Sequence, residues 1–309
     1  MLLHYFLQPP RLVLLFLILS AAYVHFRGRV RLKFRRQITD HSTVTAPYNF
    51  LVYLSSKSSR GPFMDPADFP ALKVLTENWQ AFREEGLRLM DEERIAPATG
   101  DNDLGFHTFF KRGWKRFYLK WYGNDLPSAR AYCPKSFELL SRIPSVHGAM
   151  FATLPPGGKL GKHRDPFAGS LRYHLGLRTP NADSCWIAVD GEKRCWRDGE
   201  PLVFDETFVH EAYNGSDMTR LILFCDFERP LRRPMTAVNH WMVHHVMKAT
   251  GTQNEQGEHV GAINRLYSRL SSLIASGKAL KARNKPLYYL VKNSALLVLL
   301  AAFLAPWPY

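Results

Sequence analysis

Two histidines and one aspartate stand at spacings that let them reach one metal ion. His163 and Asp165 are two residues apart, and side chains two apart on an extended segment project to the same side. His210 follows 45 residues after Asp165, which lets it arrive from another strand of the same small barrel. Two neutral imidazoles and one carboxylate on one face of an octahedron are the pattern of non-haem Fe(II) oxygenases. Zinc chemistry is the main competing use of such a set.

A second group of side chains carries positive charge or hydrogen-bond donors. Arg220 lies on an apolar strand, TRLILFCDF, and a guanidinium there is costly to bury unless it meets an anion. Arg172 and His174 are two apart on one face of LRYHLGL. Together the three predict a dicarboxylate co-substrate beside the metal, because the planar fork of arginine suits a carboxylate. The alternative for Arg220 is a structural ion pair with Asp205 or Glu206.

Three other histidines resemble a metal site only superficially. His240, His244 and His245 occur in NHWMVHHVM, where His240 and His244 are spaced to share one face of a helix. No combination of carboxylate and arginine stands beside them, so we interpret them as surface or interfacial histidines.

The elements that must position the candidate site are short strands. Between residues 149 and 227, apolar stretches alternate with Gly, Pro and Asp turns. Six such strands in so short a region predict a jelly-roll or a related β-sandwich. The predicted strands are AMFATL, LRYHLGLR, SCWIAV, KRCW, PLVF and TRLILFCDF.

Helices flank this β region on both sides. From Asp65 to Ile95 the apolar residues recur at helical spacing and predict one scaffold helix. A shorter helix is expected over residues 134–143, ending at Pro144. An amphipathic helix is expected to begin near Val260.

The stretch GFHTFFKRGWKRFYLKWYG, residues 105–123, is predicted to form a hairpin that turns at Lys111-Arg112-Gly113. Its basic and aromatic residues alternate, which favours a half-buried strand with a solvated basic face. Binding of single-stranded nucleic acid by stacking is the alternative, and the basic face is also a candidate contact for a phosphorylated lipid head group.

The excess of positive charge lies near the two ends of the chain. The 309 residues carry 41 Lys+Arg and 27 Asp+Glu, a net charge of +14. Residues 27–36 and 278–292 are rich in basic residues and contain no acidic residue, while the rest of the chain is nearly neutral. This distribution argues against a nucleic-acid-binding protein.

Each basic cluster borders an apolar stretch, residues 12–26 and residues 294–305. We expect both stretches to span or firmly anchor in a membrane, with the basic clusters on the cytoplasmic side. The region between them is then cytosolic, and the four cysteines are expected to be free thiols. Two buried or surface-lying helices are the alternative.

The motifs HRDPFAGSLRYHLGL, DGEKRCWRDGEPLVFDETFVHEAYN and TRLILFCDFERPL resemble the aspartyl/asparaginyl β-hydroxylase family of 2-oxoglutarate-dependent oxygenases. The resemblance covers about residues 105–232. It implies Fe(II) as cofactor, with 2-oxoglutarate and O2 as co-substrates. The protein-modifying animal members have Gly where this chain has Asp165, so this chain offers a complete triad. The resemblance implies iron ligands at His163, Asp165 and His210, and co-substrate contacts from Arg172, His174 and Arg220.

Within the family, a short chain with hydrophobic ends is similar to bacterial enzymes that hydroxylate a fatty-acyl chain of lipid A. The resemblance therefore implies 2-hydroxylation of a secondary acyl chain of lipid A, or of a lipopolysaccharide precursor, by a catalytic domain at the cytoplasmic face of the bacterial inner membrane. Membrane lipids are the expected partners; no nucleic acid and no obligate protein partner is expected. The alternatives are a hydroxylase of Asp or Asn side chains in a protein, and a non-enzymatic membrane-anchored β-sandwich.

The expected architecture is a mainly β core, a cupin-like double-stranded β-helix or jelly-roll, with flanking α-helices and hydrophobic membrane segments at both ends. Six regions follow along the chain. They are an N-terminal membrane segment (1–26), a basic juxtamembrane linker (27–64), a helical and hairpin scaffold (65–148), a jelly-roll catalytic core (149–232), an amphipathic helical region with a basic cluster (233–286) and a C-terminal membrane segment (287–309).

Overall fold

β-Strands in two sheets form the centre of the structure, a computed structural model that describes residues 9–98 and 103–304. The strands of the described chain are β1 (Phe63–Met64), β2 (Lys115–Trp121), β3 (Val146–Leu154), β4 (Lys159–His163), β5 (Ser170–Arg178), β6 (Cys185–Val189), β7 (Glu192–Cys195), β8 (Pro201–Phe204), β9 (His210–Asn214) and β10 (Arg220–Glu228). The larger sheet has the order β1-β8-β5-β10-β3-β2, and the smaller has the order β4-β9-β6-β7. All of these strand pairs are antiparallel.

Helices lie before and after the sheets. The longer ones are α1 (Pro9–Phe26), α2 (Ala46–Ser55), α3 (Trp79–Asp91), α4 (Pro134–Ser141), α5 (Met235–Met242), α6 (Ala262–Arg283) and α7 (Lys285–Leu304). Short helical turns occupy Phe34–Gln37, His41–Val44, Lys73–Glu77, His107–Phe110 and Pro127–Tyr132. Pro66–Asp68, Pro70–Leu72 and Lys248–Thr250 are 3-10 turns, and Val243–Met247 is a π-helical turn.

The core lies between the two sheets and between the larger sheet and α3. Strands β5 and β10 are buried along nearly their whole length. Their sequences are therefore mostly apolar and do not alternate between apolar and polar residues. Gly86 lets α3 approach the sheet closely, since a Cβ there would lie 3.1 Å from Leu221 and 3.2 Å from Phe151. The expected cupin-like β-sandwich with flanking helices is therefore what this chain adopts.

The single scaffold helix expected from Asp65 to Ile95 is divided in the structure. Two 3-10 turns and the short helix Lys73–Glu77 precede α3. Prolines begin both 3-10 turns, where their fixed φ and missing N–H are tolerated. The apolar residues recur at helical spacing over the whole region, but the backbone is interrupted by these turns. The shorter helix expected over residues 134–143 is confirmed as α4.

The hairpin expected over residues 105–123 is wrong in its first arm. Residues His107–Phe110 form a helical turn, and only β2 is a strand. Phe106, Phe109 and Phe110 are spaced as one face of a helix, which outweighs the period-two reading. The basic face is also partly buried, because Arg116 is 2% exposed and pairs with Asp103 at 3.2 Å.

Among the described residues, one helix is long and apolar enough to cross a membrane, and it is α1. Its only buried side chains are those of Ser20 and Val24. The expected C-terminal segment, residues 287–309, overlaps α7, but α7 does not pass the same test within the described residues. Residues 305–309 lie outside them, so the second membrane segment is not confirmed.

The four cysteines are free thiols, as expected. Cys195 stands opposite Trp186 across the β6–β7 pair, and Cys185 pairs instead with Asn214 on β9. Because neighbouring residues on a strand face opposite sides, this register turns the two thiols away from each other.

Candidate metal centre

The three residues expected to bind a metal come together at one end of the smaller sheet. His163 is the last residue of β4, His210 is the first of β9, and the two stand directly opposite each other in the antiparallel register. Their ring centroids are 4.1 Å apart. Asp165 follows two residues after β4 and places Oδ1 3.8 Å from Nε2 of His163. The candidate ligand atoms of all three residues lie within 4.8 Å of one another, and no other group of three is found in the described part of the chain.

Backbone carbonyls fix the orientation of both imidazoles. Nδ1 of His163 lies 2.7 Å from the carbonyl oxygen of Gly161, and Nδ1 of His210 lies 3.0 Å from that of Phe208. A carbonyl oxygen only accepts hydrogen bonds, so each Nδ1 carries the proton and each Nε2 presents its lone pair. This is how metal-binding histidines are commonly held.

Burial and neighbouring positive charge favour the ligand form of these groups. Burial and the adjacent His210 lower the pKa of His163 to about 3, and burial also lowers the pKa of His210. For Asp165, burial acts to raise the pKa, but Arg172 and the two imidazoles outweigh it and hold the pKa well below its usual range. At neutral pH the site therefore offers two neutral imidazoles and a carboxylate, the donor set expected for Fe(II).

Arg172 lies on the wall of the site and joins two carboxylates. Its Nη1 donates to Asp165, while Nε and Nη2 donate to Oδ1 of Asp226 at 3.0 and 2.9 Å. Asp226 stands opposite Arg172 in the β5–β10 register. The guanidinium therefore fixes the position of the ligand Asp165. The sequence spacing of Arg172 and Asp165 did not predict this contact.

Arg220 and His174 are the donors without protein partners in this site. The Arg220 guanidinium is 2% exposed and lies 4.4 Å from the centroid of the Trp196 ring. Within the described chain it pairs with no carboxylate, and its buried Nε has no hydrogen-bond partner. Burial lowers the pKa of Arg220 to about 10. The alternative of an ion pair with Asp205 or Glu206 is wrong.

Those two acids are engaged elsewhere. Asp205 pairs with Arg27 at 2.6 Å and with Arg229 at 3.0 Å, and Glu206 accepts a hydrogen bond from Ser170 at 2.9 Å. The cationic end of Arg220 is left facing the pocket.

His174 adds a second unpaired donor. Trp196 donates from Nε1 to Nδ1 of His174 at 3.3 Å, so the proton of this imidazole sits on Nε2. That Nε2 is buried and has no partner. An anion that accepts from both His174 and Arg220 satisfies these orphaned groups, as a buried polar group requires.

The unpaired donors and the metal ligands belong to different sheets. His163 and His210 lie on the smaller sheet, whereas His174 and Arg220 lie on the larger one. All four line one pocket, together with aromatic and aliphatic residues. The other lining residues are Phe106, Phe109, Trp114, Leu160, Arg172, Ile187, Trp196, Phe204, Ala212, Ile222 and Phe224.

The histidines of NHWMVHHVM play no part in this site. His240 pairs with Glu228 at 2.8 Å, and His244 and His245 are exposed. Sequence reasoning missed Trp196 and Asp226, which orient the site arginines. Asp226 becomes recognisable only once strand pairing sets it opposite Arg172.

A jelly-roll that carries two histidines and one carboxylate beside unpaired buried donors defines a non-haem iron oxygenase. The family model described as Aspartyl/Asparaginyl beta-hydroxylase matches residues 76–230, half of the chain. The chain therefore belongs to the aspartyl/asparaginyl β-hydroxylase family of Fe(II)- and 2-oxoglutarate-dependent hydroxylases, with His163, Asp165 and His210 as the iron ligands.

Two relatives are named for different substrates. The chain is 34% identical over 186 residues to "Ornithine lipid ester-linked acyl 2-hydroxylase" of Rhizobium tropici, a match covering 60% of this chain and 66% of the relative. It is 31% identical over 168 residues to the human "Aspartyl/asparaginyl beta-hydroxylase", covering 53% of this chain and 22% of the relative. The matches thus span less than two thirds of either relative.

Among solved structures, a Pseudomonas putida prolyl-4-hydroxylase is similar with a TM-score of 0.34 and 20% identity, over 50% of this chain and 87% of that one.

Proposed function

We propose that this chain hydroxylates a fatty-acyl chain of a membrane lipid at the cytoplasmic face of the bacterial inner membrane. The observation that carries the proposal is the apolar wall of the metal pocket. Ten of its lining residues offer hydrocarbon or aromatic surface and carry no charge: Phe106, Phe109, Trp114, Leu160, Ile187, Trp196, Phe204, Ala212, Ile222 and Phe224. Such a wall suits an acyl chain, since apolar surface leaves water favourably.

The co-substrate is assigned to the donors of the larger sheet. Arg220 and His174 are proposed to bind one carboxylate of 2-oxoglutarate, and the other end of the molecule would lie towards His163, Asp165 and His210, so that the molecule crosses the pocket. Bound iron supplies the oxidising power, using O2 and 2-oxoglutarate to insert one oxygen atom into a C–H bond.

Arg172 retains a place at the co-substrate in this proposal, through a different contact from the one expected. Its guanidinium is taken up by Asp165 and Asp226. It therefore supports the co-substrate as a neighbouring positive charge and as the residue that orients Asp165.

The surface beyond α1 supports attachment to a membrane. Phe34, Ile38 and Val44 are 68%, 58% and 82% exposed, and basic residues lie among them in residues 27–36. Exposed apolar side chains beside basic ones are typical of an interface with anionic lipid. A lipid substrate then reaches the pocket without passing its chain through water.

The lipid itself is proposed to be lipid A, with a secondary acyl chain oxidised at C-2. The name of the rhizobial relative favours ornithine lipid as a second candidate. Both substrates present an ester- or amide-linked acyl chain beside a polar head group, so the pocket accommodates the same chemistry in either case.

The test is a mass spectrum of the lipids of a Gram-negative host that lacks acyl 2-hydroxylation. The host expresses the wild-type chain, His163→Ala, or His244→Ala as a matched control at an exposed histidine outside the site. We expect one added oxygen on an acyl group of lipid A with the wild type and the control, and none with His163→Ala.

A host that makes ornithine lipid is analysed in parallel. If only ornithine lipid gains oxygen, ornithine lipid and not lipid A is the substrate. No added oxygen on either lipid, with the wild-type chain present in the membrane fraction, would overturn the acyl proposal. Peptide-dependent turnover of 2-oxoglutarate would then favour the hydroxylation of Asp or Asn side chains in a protein, the activity that the human relative's name states.

A further inference from the structure

The residue between two iron ligands holds the end of the N-terminal helix. Arg164 follows His163 and precedes Asp165, so alternation along the extended chain points its side chain away from the metal. The side chain is 1% exposed. Its Nη1 donates to the carbonyl oxygen of Val24, and its Nη2 donates to that of Arg27 at 3.3 Å.

These two carbonyls lie at the C-terminal end of α1, where carbonyl groups lack partners within the helix and the helix dipole is negative. A guanidinium there is both a hydrogen-bond donor and a favourable charge. Val24 is one of the two side chains of α1 that are buried, so the contact lies where the helix meets the catalytic core.

The helical segments that follow α1 bind the backbone of the loop that carries Asp165. Nε2 of His41 donates to the carbonyl oxygen of Arg164 at 2.6 Å. Asn49 donates to the carbonyl oxygen of Pro166 at 2.9 Å and accepts from the amide of Ala168 at 3.0 Å. Residues 164, 166 and 168 are thus each tied to the chain between residues 41 and 49.

The loop before His210 is held by the residues that directly follow α1. Arg27 donates to Asp205 at 2.6 Å and to Thr207 at 2.8 Å, and its guanidinium lies 3.8 Å from the centroid of the Phe208 ring. Gly28 follows at φ +86°, and a Cβ there would lie 2.6 Å from Asp190 and 2.9 Å from Phe208. Both ligand-bearing segments are therefore supported by the chain between residues 24 and 49.

We propose that Arg164 is a positioning residue that makes the geometry of the iron site depend on the end of the N-terminal helix. By holding the carbonyls of Val24 and Arg27, Arg164 fixes the peptide between His163 and Asp165 and so sets the separation of these two ligands. The inference concerns the metal site and is independent of which lipid or protein is hydroxylated.

The test measures Co(II) binding by the full chain in detergent micelles, without 2-oxoglutarate or substrate. The variants are Arg164→Gln and Arg164→Lys. The matched control is Arg88→Gln, which removes a guanidinium that donates to the carbonyl of Tyr132, away from the residues lining the metal pocket. The readouts are the Co(II) dissociation constant, the visible absorption spectrum of bound Co(II) and the thermal unfolding curve.

We expect Arg164→Gln to raise the Co(II) dissociation constant on the order of 10- to 100-fold, the usual effect of removing a group that orients metal ligands. We also expect a changed Co(II) spectrum, because the ligand separation changes. Arg164→Lys keeps the charge and one donor, so it should recover part of the affinity. A purely structural role would lower the unfolding temperature and leave the spectrum of the bound Co(II) unchanged.

His41→Ala gives a second test that spares the fold, because the His41 side chain is 55% exposed. Losing its hydrogen bond to the Arg164 carbonyl should raise the Co(II) dissociation constant by about 2- to 10-fold. Folded Arg164→Gln with wild-type affinity and spectrum would overturn the proposal. Should Arg164→Gln fail to fold, wild-type Co(II) affinity in His41→Ala would overturn it.

Discussion

Arg220 shows most directly how one residue type at one position predicts chemistry. A guanidinium on a core strand must meet an anion, and within the described chain that anion is not a protein carboxylate, because Asp205 and Glu206 are engaged by other partners. The prediction of Arg220 as a site residue therefore drew on the general cost of burying a charge. It did not extend to Trp196 or Asp226, whose roles depend on strand register.

Replacing Arg220 with Lys is predicted to weaken the binding of 2-oxoglutarate and to leave metal binding unchanged. Lysine retains the charge but loses the planar pair of donors, so the KM for 2-oxoglutarate should rise about 10-fold or more, the worth of a hydrogen bond to a charged group. Succinate formation at varied 2-oxoglutarate measures this, with Arg178→Lys outside the site as control. An unchanged KM would contradict the assignment of Arg220.

At the scale of elements, the six strands predicted from apolar stretches did not include the two that carry His163 and His210, although an extended segment and another strand were expected for these residues. Strands β4 and β9 have five residues each, and the register of their pair shifts between Leu160 and His163. They alternate buried and partly exposed positions beside polar ligands, so no apolar run marks them. Long-range pairing fixes such strands, and a single sequence does not display it.

The helical turn His107–Phe110 illustrates the same limit. Its aromatic residues were assigned to a hairpin arm, whereas Phe109 lies over the site with its ring centroid 4.8 Å from that of His163. The local spacing of the aromatic residues favours a helix. The contact between Phe109 and His163 depends on the tertiary fold, so the local sequence does not indicate it.

Phe109→Ala is predicted to uncouple the turnover of 2-oxoglutarate from the hydroxylation of the lipid. Removing the ring leaves the apolar wall incomplete, so the acyl chain is held less firmly while the donors for 2-oxoglutarate are untouched. We expect less hydroxylated lipid for each succinate formed, measured by mass spectrometry and succinate assay on the same sample. Phe137→Ala, at an aromatic residue that does not line the metal pocket, is the control; equal ratios in all three proteins would refute the role of Phe109.

Asp205→Asn is predicted to destabilise the protein in a pH-dependent way. Burial acts to raise the pKa of Asp205, but Arg229 and Arg27 outweigh it and lower the pKa overall. A carboxyl with a depressed pKa stabilises the fold above its unfolded-state pKa of about 3.9, and this stabilisation is lost as the pH falls through the lower folded-state value.

The variant should therefore lose about 3–5 kcal/mol of unfolding free energy at pH 7, the cost of breaking a buried ion pair. Its difference from the wild type should shrink below pH 4. Urea unfolding in micelles at both pH values measures this. Asp125→Asn, in an exposed pair with Arg130, should change little; a pH-independent loss in Asp205→Asn would contradict the electrostatic cause.

At the scale of the whole molecule, α6 leaves a second apolar surface unpartnered by the described chain. Leu266, Leu270 and Leu273 are 56%, 39% and 67% exposed, and the helix Ala262–Arg283 contains basic residues and no acidic one. The sequence predicted this amphipathic helix from its spacing. It did not reveal that the apolar stripe stays uncovered, which requires knowing what packs nearby.

We predict that α6 lies on the surface of an anionic bilayer. Flotation of the full chain with vesicles should be stronger for anionic than for zwitterionic lipid and should weaken with salt. Leu273→Glu should reduce flotation by placing a negative charge on the lipid face, whereas Ser272→Glu on the adjacent face should reduce it less. Equal reduction by both changes would contradict an oriented helix.

The division of the site between two sheets has a mechanical consequence. The ligand histidines His163 and His210 belong to the smaller sheet, and the unpaired donors Arg220 and His174 belong to the larger one. A molecule of 2-oxoglutarate that contacts both sheets would link them reversibly and stabilise the sandwich while it is bound. At a concentration 100 times its dissociation constant, a ligand adds about 2.7 kcal/mol to the folded state. Resistance of the metal-loaded protein to proteases would then follow the supply of 2-oxoglutarate in the cell.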